Sequence, residues 1–336
     1  MGDHVLITGG AGFIGSHLTE RLLAGGECVT IVDDFSTGSR ENLRRVEGHS
    51  RLRVIESRVS RCAGLAGMVG SASVVYHLAA TVGVDLVVRS PIRTIETNLE
   101  ETEAILGAAG RHRVPLLLTS TSEVYGKSLK EEFDEDDDLL IGPPHLGRWS
   151  YACSKLMNEF LALAYMRERG LPVIIARVFN TVGPRQTGRY GMVLPRLIAA
   201  AREGRPLRLF GDGQQTRCFA YVGDTVEALT RLRECPSAWG GVFNVGGTEE
   251  ITIRDLALLV KDILQSSSAL EFVPYDVAYG PGFEDMRRRR PSVQKLERWT
   301  GFRPSTTLAE IIRRTAEADF GGGAGSSDAV RGAPDP

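Results

Sequence analysis

His4-Val5-Leu6-Ile7-Thr8-Gly9-Gly10-Ala11-Gly12-Phe13-Ile14-Gly15 is the stretch that decides the fold of this chain. A short, mostly apolar run stops at glycines, and a helical pattern through Leu18, Leu22 and Leu23 follows. Strand, glycine turn and helix in that order open a dinucleotide-binding unit. Gly9, Gly12 and Gly15 permit a tight turn, a close approach of backbone to pyrophosphate, and close packing of helix on strand. The helix N-terminus, with Phe13 and Ile14 in its first turn, then faces the phosphates. Such a glycine motif on its own also fits an ordinary turn. Its context here adds weight, because the next strand candidate, Cys28 to Val32, ends in Asp33-Asp34. An acidic side chain at Asp33 can take the adenosine ribose hydroxyls and disfavours the extra phosphate of NADP. The expected cofactor is therefore NAD, with Ser36 and Gly38 completing that side of its site.

Further strand candidates lie at 52–55, 73–77, 114–119 and 172–176, with helical stretches between most of them, including 94–110 and 152–169. This alternation predicts an α/β fold, a Rossmann-type doubly wound parallel sheet covered on both faces. After about residue 180 the elements shorten, around Gly211-Asp212-Gly213 and a helix near 192–203. The expected organisation is an NAD-binding domain over 1–180 and a smaller substrate-binding lobe over 181–320. A strand returns to the main sheet near 241–246. A disordered tail is expected over 321–336, where Gly321-Gly322-Gly323-Ala324-Gly325-Ser326-Ser327 is low in complexity.

Composition excludes several classes. A formal net charge of -2 over 336 residues provides no field for nucleic acid or an anionic membrane. No apolar run approaches the roughly 20 residues of a membrane span. Met1-Gly2-Asp3-His4 lacks the regions of a signal peptide. Cys28, Cys62, Cys153, Cys218 and Cys235 have neither metal-site nor disulfide-framework spacing, so a cytoplasmic chain with reduced thiols is expected. Glu131 to Asp138 reads as a solvated acidic loop; no His joins it, and no metal site is expected. Cys153 reads as a small buried residue, and His77 as packing at a strand end.

Tyr151-Ala152-Cys153-Ser154-Lys155 places Tyr151 and Lys155 four apart, on one face of a helix. A phenol with a pKa near 10 is a poor base, but a neighbouring ammonium and a positive nicotinamide ring would stabilise its phenolate. An isolated pair of this kind fits a surface helix equally well. Behind a dinucleotide turn and the Thr119-Ser120-Thr121-Ser122 strand end, it is the candidate catalytic pair. Thr121 or Ser122 could bond the substrate hydroxyl that Tyr151 deprotonates; both could also simply cap the turn before Glu123.

These residues and others resemble the extended branch of the short-chain dehydrogenase/reductase family up to about residue 315. The matching pieces are Gly9 to Gly15, His77-Leu78-Ala79-Ala80, Asn98, Thr121-Ser122-Glu123-Val124-Tyr125-Gly126 and Tyr151 to Lys155. Arg177-Val178-Phe179-Asn180, Gly183-Pro184-Arg185 and Gly211 to Arg217 complete them. The resemblance implies NAD against Leu78, Ala79, Ala80 and Asn98. It implies a nucleoside diphosphate near Asn180, Val193, Leu209 and Gln215, with Arg217 and an arginine of the 287–290 run, Arg289, at its phosphates or sugar. It also implies a homodimer through 94–110 and 152–169. On its own the Arg287-Arg288-Arg289-Arg290 run reads as a solvated charge run. Two positions depart from the family pattern: Arg58 stands where an Asp usually contacts adenine, and Cys218 where the family has Arg-Asp-Phe.

The implied chemistry begins with oxidation of a sugar 4-hydroxyl by Tyr151 and NAD. Gly183-Pro184-Arg185-Gln186 resembles the sugar and uronate 4-epimerases, and Arg185 or Arg189 could pair with a substrate carboxylate. Ser122-Glu123, Arg217-Cys218-Phe219 and Arg148-Trp149-Ser150-Tyr151 resemble UDP-glucuronate decarboxylases, in which the matching Glu and Arg assist CO2 loss. The balance leans narrowly to conversion of UDP-glucuronate to UDP-galacturonate, with decarboxylation to UDP-xylose as the alternative. A UDP-glucose 4-epimerase, a 4,6-dehydratase and a non-enzymatic nucleotide sensor rank lower.

Overall fold

The central sheet holds β1 (His4–Thr8), β2 (Cys28–Asp33), β3 (Leu52–Glu56), β4 (Val74–His77), β5 (Leu116–Thr121), β6 (Val173–Val178) and β11 (Val242–Val245). Among the described residues these seven strands run parallel in the order β3-β2-β1-β4-β5-β6-β11. The computed structural model describes residues 3–81, 87, 90–188, 192–279 and 284–318. Arg189 and the tail expected over 321–336 lie outside them.

Strand geometry explains the run of apolar residues. Successive side chains point to opposite faces. Val5 and Ile7 of β1 join a core with Val29, Ile31, Leu117, Ile174 and Phe243, while Leu6 joins a second core with Val75, Leu116, Leu118, Val173 and Ile175. Both faces are therefore buried, as a parallel sheet requires. Helix α1 (Phe13–Ala24) covers the first face with Leu18, Leu22 and Leu23. After α2 (Leu65–Gly70), the long helices α3 (Pro91–His112) and α4 (Trp149–Arg169) cover the second, through Ile105, Leu106 and Ala162.

The strand order reverses between β1 and β4, which lie side by side while the strands that follow each run outward in opposite directions. In such sheets ligands bind in the crevice outside the carboxyl ends, at this switch point. β5 starts at Leu116, two residues later than the sequence suggests, because Pro115 has no N–H for the ladder; its carbonyl still accepts from Val75 N at 2.9 Å. The strand runs on to Thr121, paired with Val178, which carries the hydroxyl cluster to the rim of the sheet.

The lobe is built from shorter pieces. β7 (Thr181–Val182) pairs with β10 (Ala220–Tyr221), β8 (Leu207–Phe210) with β13 (Leu270–Val273), and β9 (Thr216–Cys218) with β12 (Glu250–Thr252). Leu194, Leu197 and Ile198 of α5 (Val193–Arg202) pack there against Leu207, Leu256, Ile311 and Ile312. Among the described residues no helix is long and apolar enough to cross a membrane.

Two expectations are corrected. The acidic loop over 131–138 is not simply solvated: Phe133 and Glu135 are buried. Phe133 N donates to Arg290 O at 2.8 Å, its carbonyl accepts from Ser292 N at 2.8 Å and from Asn244 Nδ2 at 2.9 Å, and Glu135 Oε1 accepts from Asn244 N at 2.7 Å. Phe133 and Glu135 turn inward two residues apart, a pattern that a charge count hides. Cys153, expected to be buried, is exposed; it lies on the outer side of α4, whose inner side carries Tyr151, Ser154 and Lys155.

Candidate active site

A cavity of ≈ 380 Å³ follows the carboxyl ends of the strands, and its lining begins with Gly9, Gly12, Phe13, Ile14 and Gly15. The glycine turn is shaped for something close. A Cβ at Gly15 would lie 2.1 Å from Gly9 O, and one at Gly9 only 2.7 Å from Ala79 N, so neither position admits a side chain. The α1 N-terminus opens into this cradle with no side-chain cap, which suits a diphosphate.

Asp33 ends β2 at the same rim. Its Oδ2 accepts from Ala11 N at 2.9 Å and its Oδ1 from Phe35 N at 2.8 Å, while burial raises its pKa despite those bonds. Ser36 lines the cavity beside it, and a Cβ at Gly38 would meet Ala11 at 2.9 Å, so Gly38 closes the turn against the glycine loop. Leu78, Ala79 and Ala80 line the opposite wall. Asn98 sits one layer back: its Oδ1 accepts from Thr81 N at 2.8 Å and its Nδ2 donates to Ser154 Oγ at 3.1 Å, tying α3 to the loop after β4 and to α4. These residues fit NAD, with diphosphate at the glycines and ribose at Asp33.

Tyr151 and Lys155 both reach the cavity from α4, below Thr121, Ser122 and Glu123 at the end of β5. Burial and the Glu123 carboxylate push the Tyr151 phenol above its ordinary value, opposed by a hydrogen bond with Thr121 and by the Arg289 charge. Burial lowers Lys155 to about 8 although Glu159 favours its charged form. His77 is a core residue: it bonds Thr8 Oγ1 at 2.7 Å and Thr102 Oγ1 at 3.0 Å, and burial with the Lys155 charge lowers it to about 3. It stays neutral and takes no proton at physiological pH.

Around the far wall lies a buried ionic cluster that sequence spacing does not assemble. Arg289 Nη1 is 3.3 Å from Glu123 Oε1. Asp285 bridges Arg148, the residue leading into α4, at 3.1 Å and Arg217 on β9 at 2.7 Å. Burial alone would raise the Asp285 pKa, but Arg217, Arg148 and Arg289 together hold it below the ordinary value. Burial and Arg217 lower Arg289 to about 10, with Glu123 and Asp285 pulling the other way. Within the arginine run Arg289 is therefore turned inward, while Arg287 stays exposed. Sequence reasoning misses Asp285 and its pairing with Arg148; the available signal is the acidic pair Glu284-Asp285 just ahead of four arginines, masked by the charge run itself.

Other expected substrate residues are spread more widely. Asn180 lines the cavity and donates from Nδ2 to Cys218 O at 2.9 Å. Arg185 lines it as well, but its guanidinium is held by Glu20 at 2.5 Å and Ser16 Oγ at 3.1 Å, on α1. Leu209 is buried in the lobe core, Val193 packs against that core, and Gln215 Nε2 donates to Phe210 O at 2.9 Å. Arg217 stands behind Arg289 rather than in the cavity lining, bonded to Thr216 O, Met286 O and Asp285.

Residues 5–246 match the model of the NAD dependent epimerase/dehydratase family. The chain is 40% identical over 318 residues to the UDP-N-acetyl-alpha-D-glucosaminuronate decarboxylase of Bacillus cytotoxicus, spanning 94% of this chain and 98% of that protein. It is 36% identical over 318 residues to UDP-glucuronic acid decarboxylase 1 of Danio rerio, spanning 93% and 72%. Among solved structures, the UDP-glucuronic acid 4-epimerase of Bacillus cereus, in complex with UDP-glucuronic acid and NAD, aligns with a TM-score of 0.84 at 29% identity, spanning 93% and 98%. With the glycine cradle, Asp33 and the Tyr151–Lys155 pair on one cavity, the chain belongs to the NAD-dependent epimerase/dehydratase family of enzymes, with NAD as its cofactor.

Proposed function

We propose that this enzyme decarboxylates a UDP-hexuronate. The observation that carries the reading is the Glu123–Arg289 pair, set in the cavity wall beside Tyr151. The decarboxylase relatives, both acting on UDP-uronates by name, support it. The 4-epimerase that the sequence narrowly favours rests on Arg185 or Arg189 meeting a carboxylate. Arg185 is engaged by Glu20 and Ser16, and Arg189 lies outside the described residues.

Gly9, Gly12, Gly15 and Asp33 would hold NAD, which when bound would supply a reversible hydride acceptor for the sugar C4 and a positive ring that favours the Tyr151 phenolate. Tyr151 takes the C4 hydroxyl proton, with Thr121 bonded to its phenol and Lys155 one helical turn away. The C4 ketone makes the C6 carboxylate a β-keto acid. The C5–C6 bond then breaks, its electron pair forms the C4–C5 enolate, and CO2 leaves. A proton added at C5 regenerates the ketone for reduction. Electron flow out of the carboxylate is fastest when no cation holds it. Glu123 already neutralises Arg289, so the carboxylate meets a compensated pair rather than a bare guanidinium.

Incubation with NAD and either UDP-glucuronate or UDP-N-acetylglucosaminuronate tests this reading. A UDP-pentose product from one of them supports it; a UDP-hexuronate inverted at C4 favours the 4-epimerase instead. The relatives leave the group at C2 open, and the two substrates separate a hydroxyl from an acetamido group there.

Homodimerisation belongs to the same reading. Ile92 and Ile95 on α3 and Met157 and Phe160 on α4 are exposed large apolar side chains on adjacent helices, a face that a second copy would cover. A reducing, cytoplasmic setting suits five thiols that form no disulfide.

A further inference from the structure

The segment that leads from the sheet into the lobe is fastened to the first helix. Pro184 O accepts from His17 Nε2 at 3.0 Å. The Arg185 guanidinium donates from Nη1 to Ser16 Oγ at 3.1 Å and from Nη2 to Glu20 Oε1 at 2.5 Å. Ser16, His17 and Glu20 lie on successive turns of α1, and Ser16 Oγ donates in its turn to Phe13 O at 3.0 Å. Arg185 reaches them from a left-handed backbone with φ 70°, which a non-glycine residue keeps only where its surroundings hold it. The turn around it is braced: Gln186 N donates to Gly183 O at 3.3 Å and Gln186 Nε2 to Thr181 O at 2.9 Å. These bonds join two walls of one cavity, the glycine turn with Phe13 and Ile14 on one side, and Asn180, Thr181, Arg185 and Gln186 on the other. Among the described residues Glu20 is not part of that lining, so its carboxylate acts on the cavity through Arg185.

We propose that Glu20 and Arg185 form a clasp that retains the cofactor, with Glu20 as a positioning residue that holds Arg185 across the gap. A dinucleotide with its diphosphate at the glycine turn lies between the two walls, and parting them means breaking the Arg185 bonds to α1. The clasp thus sets how fast NAD leaves. The inference rests on NAD as the cofactor and is independent of the fate of the sugar.

The test loads the enzyme with NADH, mixes it with excess NAD and follows the loss of bound-NADH fluorescence by stopped flow. Glu20→Gln keeps the size of the side chain, removes its charge, and is expected to release NADH about tenfold faster, the scale of one hydrogen bond to a charged group. Arg185→Met releases it at least as fast. The double variant is no faster than Arg185→Met alone, because both changes cut the same bond. Arg185→Lys keeps the charge but cannot span Ser16 and Glu20 together, so its rate falls between wild type and Arg185→Met. Thermal melts check that each variant folds, and Glu20→Gln, at a partly exposed position, carries the test if Arg185→Met does not fold. Release at the wild-type rate from Glu20→Gln overturns the proposal, whatever its melting temperature. Slower release from Glu20→Gln overturns it equally, the outcome expected were a freed Arg185 to bind the cofactor diphosphate. Additive rates in the double variant also overturn it, since Glu20 would then act by a route other than Arg185.

Discussion

The carboxylate of Glu123 and the guanidinium of Arg289 meet at 3.3 Å although 166 residues separate them in the chain. One side chain comes from the end of β5, the other from the segment that follows the lobe. The short helical turn that carries Glu123 is capped by Thr121, whose hydroxyl accepts from Glu123 N at 3.2 Å and holds the start of that turn at the cavity rim. The pair couples the redox half of the site to the arginine cluster behind it.

If Glu123 compensates Arg289, removing its charge frees the guanidinium to bind the substrate carboxylate. Glu123→Gln then lowers KM for the UDP-hexuronate while kcat falls about tenfold or more, the scale of one electrostatic contact of ~1.4 kcal/mol. Steady-state kinetics check this split. A variant with raised KM and unchanged kcat speaks against compensation.

Lys155 gives a pH signature. Its folded value of about 8 lies below the ordinary 10.5, so between these limits the folded state carries fewer protons than the unfolded state. Stability therefore rises with pH through that window, and the cost of the buried charge is fully present below 8. In nucleotide-free protein, Lys155→Met abolishes turnover yet gains roughly 1–3 kcal/mol of stability at pH 7. The gain shrinks toward zero near pH 10.5. Urea titrations at several pH values decide it, and a variant less stable at pH 7 contradicts the sign.

Asp285 holds Arg148 and Arg217 together, so its loss leaves buried cations facing one another. Asp285→Ala is expected to cost roughly 3–5 kcal/mol. Because its carboxyl is held below the ordinary 3.8, the contribution is complete above that pH and disappears as pH falls through the folded value. The difference in denaturant midpoint between wild type and variant should be full at pH 7 and shrink progressively as pH falls below 3.8.

The exposed apolar face of α3 and α4 predicts a dimer that Phe160→Glu converts to monomer in light scattering, with the helix content unchanged. A wild-type monomer at micromolar concentration contradicts it.

The parts of this molecule that are legible in the sequence are those set by local rules. β1, the glycine turn and α1 follow from an apolar run, three glycines and a 3.6-residue repeat, and Tyr151 and Lys155 from a four-residue spacing. The Asp285–Arg148–Arg217 cluster depends on three segments meeting in space, which no spacing reports. Phe133 and Glu135 are hidden for a related reason: charge composition describes a loop, whereas burial is decided by the backbone partners at Asn244, Arg290 and Ser292. Cys153 is misplaced because on α4 the outer face carries Met157 and Phe160 too, so apolarity does not separate inside from outside.

The central claim concerns the fate of C6. UDP-hexuronate labelled with 13C at C6 is turned over with NAD in D2O. The account predicts that the label leaves as CO2 and bicarbonate while the UDP-pentose product carries one solvent deuteron at C5. Retention of the label in a UDP-hexuronate inverted at C4, with C5 still protonated, would contradict it.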